Sequence, residues 1–181
     1  FAAKLLGDDT AEKMGRLTLN PVSHIDPLGL LLVASVGFGY ARPVPFTPRK
    51  IRYPWGSAVV ALAGPLMNLL IAIVAANLLQ YGVNQPGSFL SQQGPQQLLS
   101  WMTGINLLLM LFNLIPLGPL DGHYIMTWLL PGKLSYKYHQ FNGQYGHYVF
   151  MALIVLSILG LPIFRFLLQA ASAIFPIITF I

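Results

Sequence analysis

One carboxylate stands apart from the rest of the chain. Asp121 is the only acidic residue between Tyr53 and Ile181, and it closes the run Asn113-Leu-Ile-Pro116-Leu-Gly-Pro119-Leu120 at the end of an apolar stretch. A carboxylate at mid-bilayer costs about 2.5–3.5 kcal/mol on insertion scales, so an ionisable group in such a stretch is a functional candidate by default. With the prolines that break the helix and the glycine that follows, it suggests a hydrated pocket near the membrane surface. The plain alternative is a residue that has emerged at the interface and caps the next helix.

Asn68 is a second candidate, in Ala63-Gly64-Pro65-Leu66-Met67-Asn68. Its amide can donate to a developing oxyanion or hold an extended peptide backbone. It could equally form an interhelical hydrogen bond that only joins helices. A third constellation is Asn20-Pro21-Val22-Ser23-His24-Ile25-Asp26-Pro27. His24 and Asp26 would share a face of an extended segment, where an oriented pair at headgroup level is a better reading than direct metal ligation. His123, His139 and His147 surround a basic stretch and are assigned no role.

The elements that position these residues are apolar. Phe1–Leu6 reads as the tail of a helix, which Gly7 ends. Arg16–Leu19 alternates and could pair with the proline-broken segment Ala41–Phe46 as a small hairpin at the membrane surface. Residues 28–38 form a short apolar piece. Val59–Leu79 lacks charge and approaches the roughly 20 residues of a membrane span. Tyr81–Gln97 reads as an uncharged loop, and Leu98–Pro119 as the next span. Residues 131–145 read as a polar loop, followed by apolar runs at His147–Leu161 and Ile163–Ile181. Pro116 and Pro119 remove backbone donors. The freed carbonyls are tolerated in a bilayer only against protein or a wet cavity.

The 181 residues are 55% hydrophobic and 8% charged, where a soluble domain carries about 25% charged residues. This composition predicts an all-α integral membrane protein, a polytopic transmembrane helix bundle with a possible β-hairpin. The net charge of +5 is concentrated near apolar segments, at Arg42, Arg49, Lys50 and Arg52 and again at Lys133 and Lys137. Such placement marks cytoplasmic loops and argues against nucleic acid as a partner. The absence of cysteine excludes disulfides and thiolate metal sites.

The ordered motifs resemble the site-2 proteases, compact prokaryotic intramembrane zinc metalloproteases. Asn113-x-x-Pro116-x-x-Pro119-Leu120-Asp121-Gly122 resembles their Asn-Pro-Leu-Asp-Gly signature, and Gly64-Pro65-x-x-Asn68 their Gly-Pro-x-x-Asn motif. Asn20-Pro21-x-x-His24-Ile25-Asp26-Pro27 and Arg42-Pro43-Val44-Pro45 fit the same group. The resemblance runs from Phe1 to about Trp128. It implies one zinc ion with Asp121 as a ligand, a catalytic role for Asn68, and substrate binding by Asn68, Asn113 and Pro116. It implies a transmembrane protein or peptide as substrate, and a multi-pass protein of the prokaryotic inner membrane with its active site near the cytoplasmic side.

The family's His-Glu-x-x-His does not occur in this sequence. Phe1-Ala-Ala-Lys-Leu-Leu-Gly7-Asp8 resembles the stretch that follows that motif, so two histidine ligands are expected upstream of Phe1. Residues 1–181 then form a single protease core that lacks its first catalytic helix and is inactive as a fragment. The alternatives are an inactive homologue that binds transmembrane segments, and an ion carrier, which would place more ionisable groups among its spans.

Overall fold

Glycine and proline divide the described residues before Gly56 into short pieces. The computed structural model describes residues 1–18, 20 and 44–181, in two units, Phe1–Val60 and Ala61–Ile181. Helix α1 spans Ala2–Leu5 and α2 spans Thr10–Lys13. Gly7, at φ 104°, ends α1 in the left-handed region that favours glycine. A short 3-10 turn covers Pro48–Lys50.

Asp8 is the hub of this unit. Its buried carboxylate accepts from the Thr10 amide, the Thr10 hydroxyl and the Thr47 amide. Burial alone would raise its pKa; the Thr10 and Thr47 hydrogen bonds and the Lys50 charge more than offset this, and the net direction is down. Half-buried Asp9 is held at about 2, first by its hydrogen bonds to Lys13 and Lys50. Both folded-state values lie below the ordinary carboxylate value of 3.8. Their contribution to stability is therefore full above that value and is lost as pH falls through the folded one.

Helix α3 spans Gly56–Asn84. It is 29 residues long, an 18-residue stretch within it has a mean hydropathy of 2.3, and among the described residues it is the one helix long and apolar enough to cross a bilayer. A 3-10 turn at Phe89–Ser91 leads into α4, Gln93–Asn113. Helices α5 (Gly122–Leu129), α6 (Gly132–Ile158) and α7 (Ile163–Ile178) follow. Ala72 and Ala76 of α3 pack with Leu107 and Met110 of α4 and with Ala171 and Ile178 of α7. The alanines, four residues apart, let the helices approach closely. Asn77 ties α3 to the end of α7: its amide nitrogen donates to the Ile73 and Ile178 carbonyls at 2.8 Å each, and its oxygen accepts from the Phe180 amide at 2.8 Å.

The helices are longer than the sequence reading allowed. The expected span Val59–Leu79 is extended at both ends, and the expected loop Tyr81–Gln97 shrinks to residues 85–92. Leucine and glutamine are good helix formers, so lack of charge alone did not make a loop there. The expected span Leu98–Pro119 ends at Asn113, ahead of its prolines. The largest departure is at residues 131–145: the expected polar loop is helical from Gly132 onward and continuous with the apolar stretch that follows. The two C-terminal apolar runs belong to separate helices, parted by Gly160 at φ 109° and by Pro162. Among the described residues there is no strand. The expected hairpin of Arg16–Leu19 with Ala41–Phe46 falls partly on residues 19 and 41–43, outside those described, and its described residues, 16–18 and 44–46, are not in strands. His24, Asp26, Arg42 and the apolar piece 28–38 also lie outside them.

Candidate metal centre

Helix α4 cannot pass Pro116, and residues 114–121 turn back instead. The Leu117 amide bonds to the Ile115 carbonyl and the Leu120 amide to the Leu117 carbonyl, both at 2.8 Å. The Gly118–Pro119 peptide is cis. This loop delivers Asp121 to the N-cap position of α5, yet its side chain makes no capping hydrogen bond. The carboxylate is partly buried and has no hydrogen-bond donor among the described residues. The capping alternative thus loses the contact that would define it.

Asp121 instead faces α3. A Cβ added to Gly64 would stand 3.4 Å from the Asp121 Oδ2, so the glycine of Gly-Pro-x-x-Asn leaves space against the carboxylate. Two motifs 57 residues apart in sequence therefore meet in the fold. Asn68 lies one turn beyond Gly64 on α3 and so shares its face. Asn68 and Asn113 are both partly buried, and neither side chain has a hydrogen-bond partner among the described residues. Pro116 is exposed, and its carbonyl accepts from the Tyr138 hydroxyl at 2.6 Å.

Several residues of this region were missed in the sequence. His123 is buried, and its Nδ1 lies 2.8 Å from the Leu120 carbonyl. A carbonyl can only accept, so Nδ1 carries the proton. The ring lies against Tyr124 at a centroid distance of 3.7 Å. Tyr138, Asn142 and Gly146 of α6 meet the Pro116–Gly118 segment. Their regular spacing of four was the available signal, hidden by reading the stretch as a loop. An apolar groove of about 540 Å³ between α4 and α7, lined by Trp101, Leu107, Leu168 and Phe175 among others, does not include Asp121.

A carboxylate with no donor and an open side suits a cation. Among the described residues, however, no group of three His, Asp or Glu side chains could hold a metal.

Comparison with known proteins gives the family. Residues 81–157 match peptidase family M50. YwhC of Bacillus subtilis, named as a candidate zinc metalloprotease, is 42% identical over 160 residues, covering 86% of this chain and 72% of YwhC. The chain belongs to peptidase family M50. A second relative, Rip2 of Mycolicibacterium smegmatis, named in the same way, is 28% identical over 128 residues, 68% of this chain and 48% of Rip2. No solved structure matches. The M50 match includes Asn113, Asp121 and most of α6 but begins after Gly64 and Asn68. The likeness to the site-2 proteases drawn from the motifs agrees with this membership.

Proposed function

We propose that the protein is a zinc endopeptidase that hydrolyses transmembrane or membrane-proximal segments of its substrates within the bilayer. The observation that carries this reading is the Asp121 carboxylate, without a donor among the described residues and facing Gly64 of the apolar helix α3. Gly64 lies eight residues into α3, about 12 Å along its axis. A site at that depth, near the end of α3 that follows Arg49, Lys50 and Arg52, suits a catalytic centre in the cytoplasmic half of the membrane.

In this reading Asp121 is one zinc ligand, and histidines outside the described residues supply the others. Zinc bound there supplies Lewis-acid activation of a water at neutral pH. Asn68 donates its amide to the carbonyl oxygen under attack. Asn113 and the exposed Pro116 line the path of an extended substrate. The Pro116 backbone cannot donate, so it leaves substrate carbonyls to other partners.

The test is cleavage of a transmembrane peptide by the full-length protein in proteoliposomes. Cleavage should stop on chelation and return with zinc. Asn68→Leu should lower the rate by about 10²–10³-fold, the usual cost of losing an oxyanion donor, with zinc content unchanged. Asn113→Leu should also slow cleavage while retaining zinc. Native rates in both variants would remove the substrate-binding roles. A folded, zinc-loaded protein that cleaves nothing would instead point to the inactive homologue.

The same reading includes several crossings, with the basic segments 49–52 and 133–137 on the cytoplasmic side. Cysteines placed at Lys50 and Gln92 test it with an impermeant thiol reagent in intact cells. Position 92 should label and position 50 should not; the reverse pattern would overturn the topology.

A further inference from the structure

We infer that Asn142 is a positioning residue for Asp121, acting through the loop that α6 clasps; this rests on Asp121 being a zinc ligand. The loop has few means of holding itself. Pro116 and Pro119 have no N–H, and the Leu117 and Leu120 amides are spent on bonds within residues 115–120. The buried Gly118 N–H is the donor that leaves the loop, and it reaches the Asn142 Oδ1 at 2.8 Å. Asn142 is itself oriented: its Nδ2 donates to the Tyr138 carbonyl one turn earlier, at 3.1 Å, and only 6% of its surface is exposed.

Two further contacts from the same helix meet this segment. The Tyr138 hydroxyl donates to the Pro116 carbonyl at 2.6 Å. Gly146 lies so close that a Cβ there would stand 2.8 Å from the Gly118 carbonyl oxygen. Residues 138, 142 and 146 occupy one face of α6, so a single rigid helix fixes Pro116 and Gly118 from outside. Asp121 follows three residues later. A metal ligand must be held within about 0.5 Å of its working position, and groups that orient ligands commonly contribute 10–100-fold to metal affinity or activity. The clasp supplies that hold without touching metal or substrate.

The experiment uses full-length protein with four variants. Asn142→Leu removes the acceptor for the Gly118 N–H at similar volume. Gly146→Ala pushes on the Gly118 carbonyl while alanine favours the helix over glycine, so it tests the same loop if Asn142→Leu fails to fold. Gly143→Ala is the control, because a Cβ there meets nothing within 4 Å. Asp121→Asn is measured alongside. The readouts are the zinc dissociation constant by chelator competition, the visible spectrum of the cobalt-substituted protein, and kcat and KM separately.

Asn142→Leu and Gly146→Ala should each weaken zinc by about 10–100-fold, change the cobalt spectrum and lower kcat with KM held. Gly143→Ala should match the native protein. Loss of stability with native zinc affinity, spectrum and kcat in the folded protein would mean that α6 only braces the fold, and the inference falls. If Asp121→Asn keeps its zinc, the metal-ligand reading fails first and this inference with it. If Asp121→Asn loses zinc while Gly146→Ala binds it natively, only the positioning role is lost.

Discussion

Asp121→Asn in the full-length protein is expected to lose both its zinc and its peptide cleavage while remaining folded. The substitution is nearly isosteric, and the carboxylate accepts no hydrogen bond among the described residues. Folding should therefore change little, within the roughly 0.5 kcal/mol typical of positions that hold no structural contact. Zinc is a different matter. A neutral amide is a much poorer ligand than a carboxylate, and a catalytic centre with three protein ligands has none to spare. Zinc analysis of the purified variant should fall from about one ion per chain towards zero, with the melting curve of the metal-free protein unchanged. Undiminished zinc would remove Asp121 from the metal centre.

That carboxylate was legible in the sequence because its setting is costly. A lone acid at the end of an apolar, proline-broken stretch needs a reason to be there. Its neighbour was not legible by the same means. Nothing in the spacing of Gly64 and Asp121 brings them together; only the ordered motifs suggested it, and packing across the fold placed the Gly64 Cα against the carboxylate. Helix α6 was missed for a physical reason. Its first half is rich in Tyr, Gln and Lys, which signals solvent, and solvent exposure is compatible with either loop or helix. The side chains that turn inward, Tyr138 and Asn142, are polar because the loop they hold presents backbone polar groups. A search for apolar periodicity passes over such a face.

Two of the three asparagines of α3 show the limit of residue type as a guide. Asn68 and Asn77 are both amides in the same apolar helix, nine positions apart. Either could be bundle glue or a substrate donor. Asn77 satisfies its amide on the end of α7. Asn68 has no such partner among the described residues and lies on the Gly64 side of the helix. A polar group in an apolar span needs a partner, and the proposed function gives the unspent Asn68 amide to substrate.

Gly122→Ala should be the most damaging small substitution near the site. A Cβ at Gly122 would lie 2.4 Å from the carbonyl oxygens of both Leu114 and Ile115, and 2.6 Å from the Leu114 carbonyl carbon. These are backbone atoms in the turn after α4, so no side chain can rotate away. Either that turn or the start of α5 must move, and Asp121 lies between them. Forcing a methyl into such a contact costs about 1–3 kcal/mol, occasionally more. The displacement should also spoil the placement of the carboxylate, so zinc affinity should fall by at least about tenfold. Gly132→Ala is the matched control: it also stands at the start of a helix, and a Cβ there meets nothing within 4 Å. It should leave melting temperature and zinc affinity close to native, whereas Gly122→Ala lowers both. Equal behaviour of the two variants would show that the turn yields without cost, and that the glycine after Asp121 is not there to admit the close approach of α4 and α5.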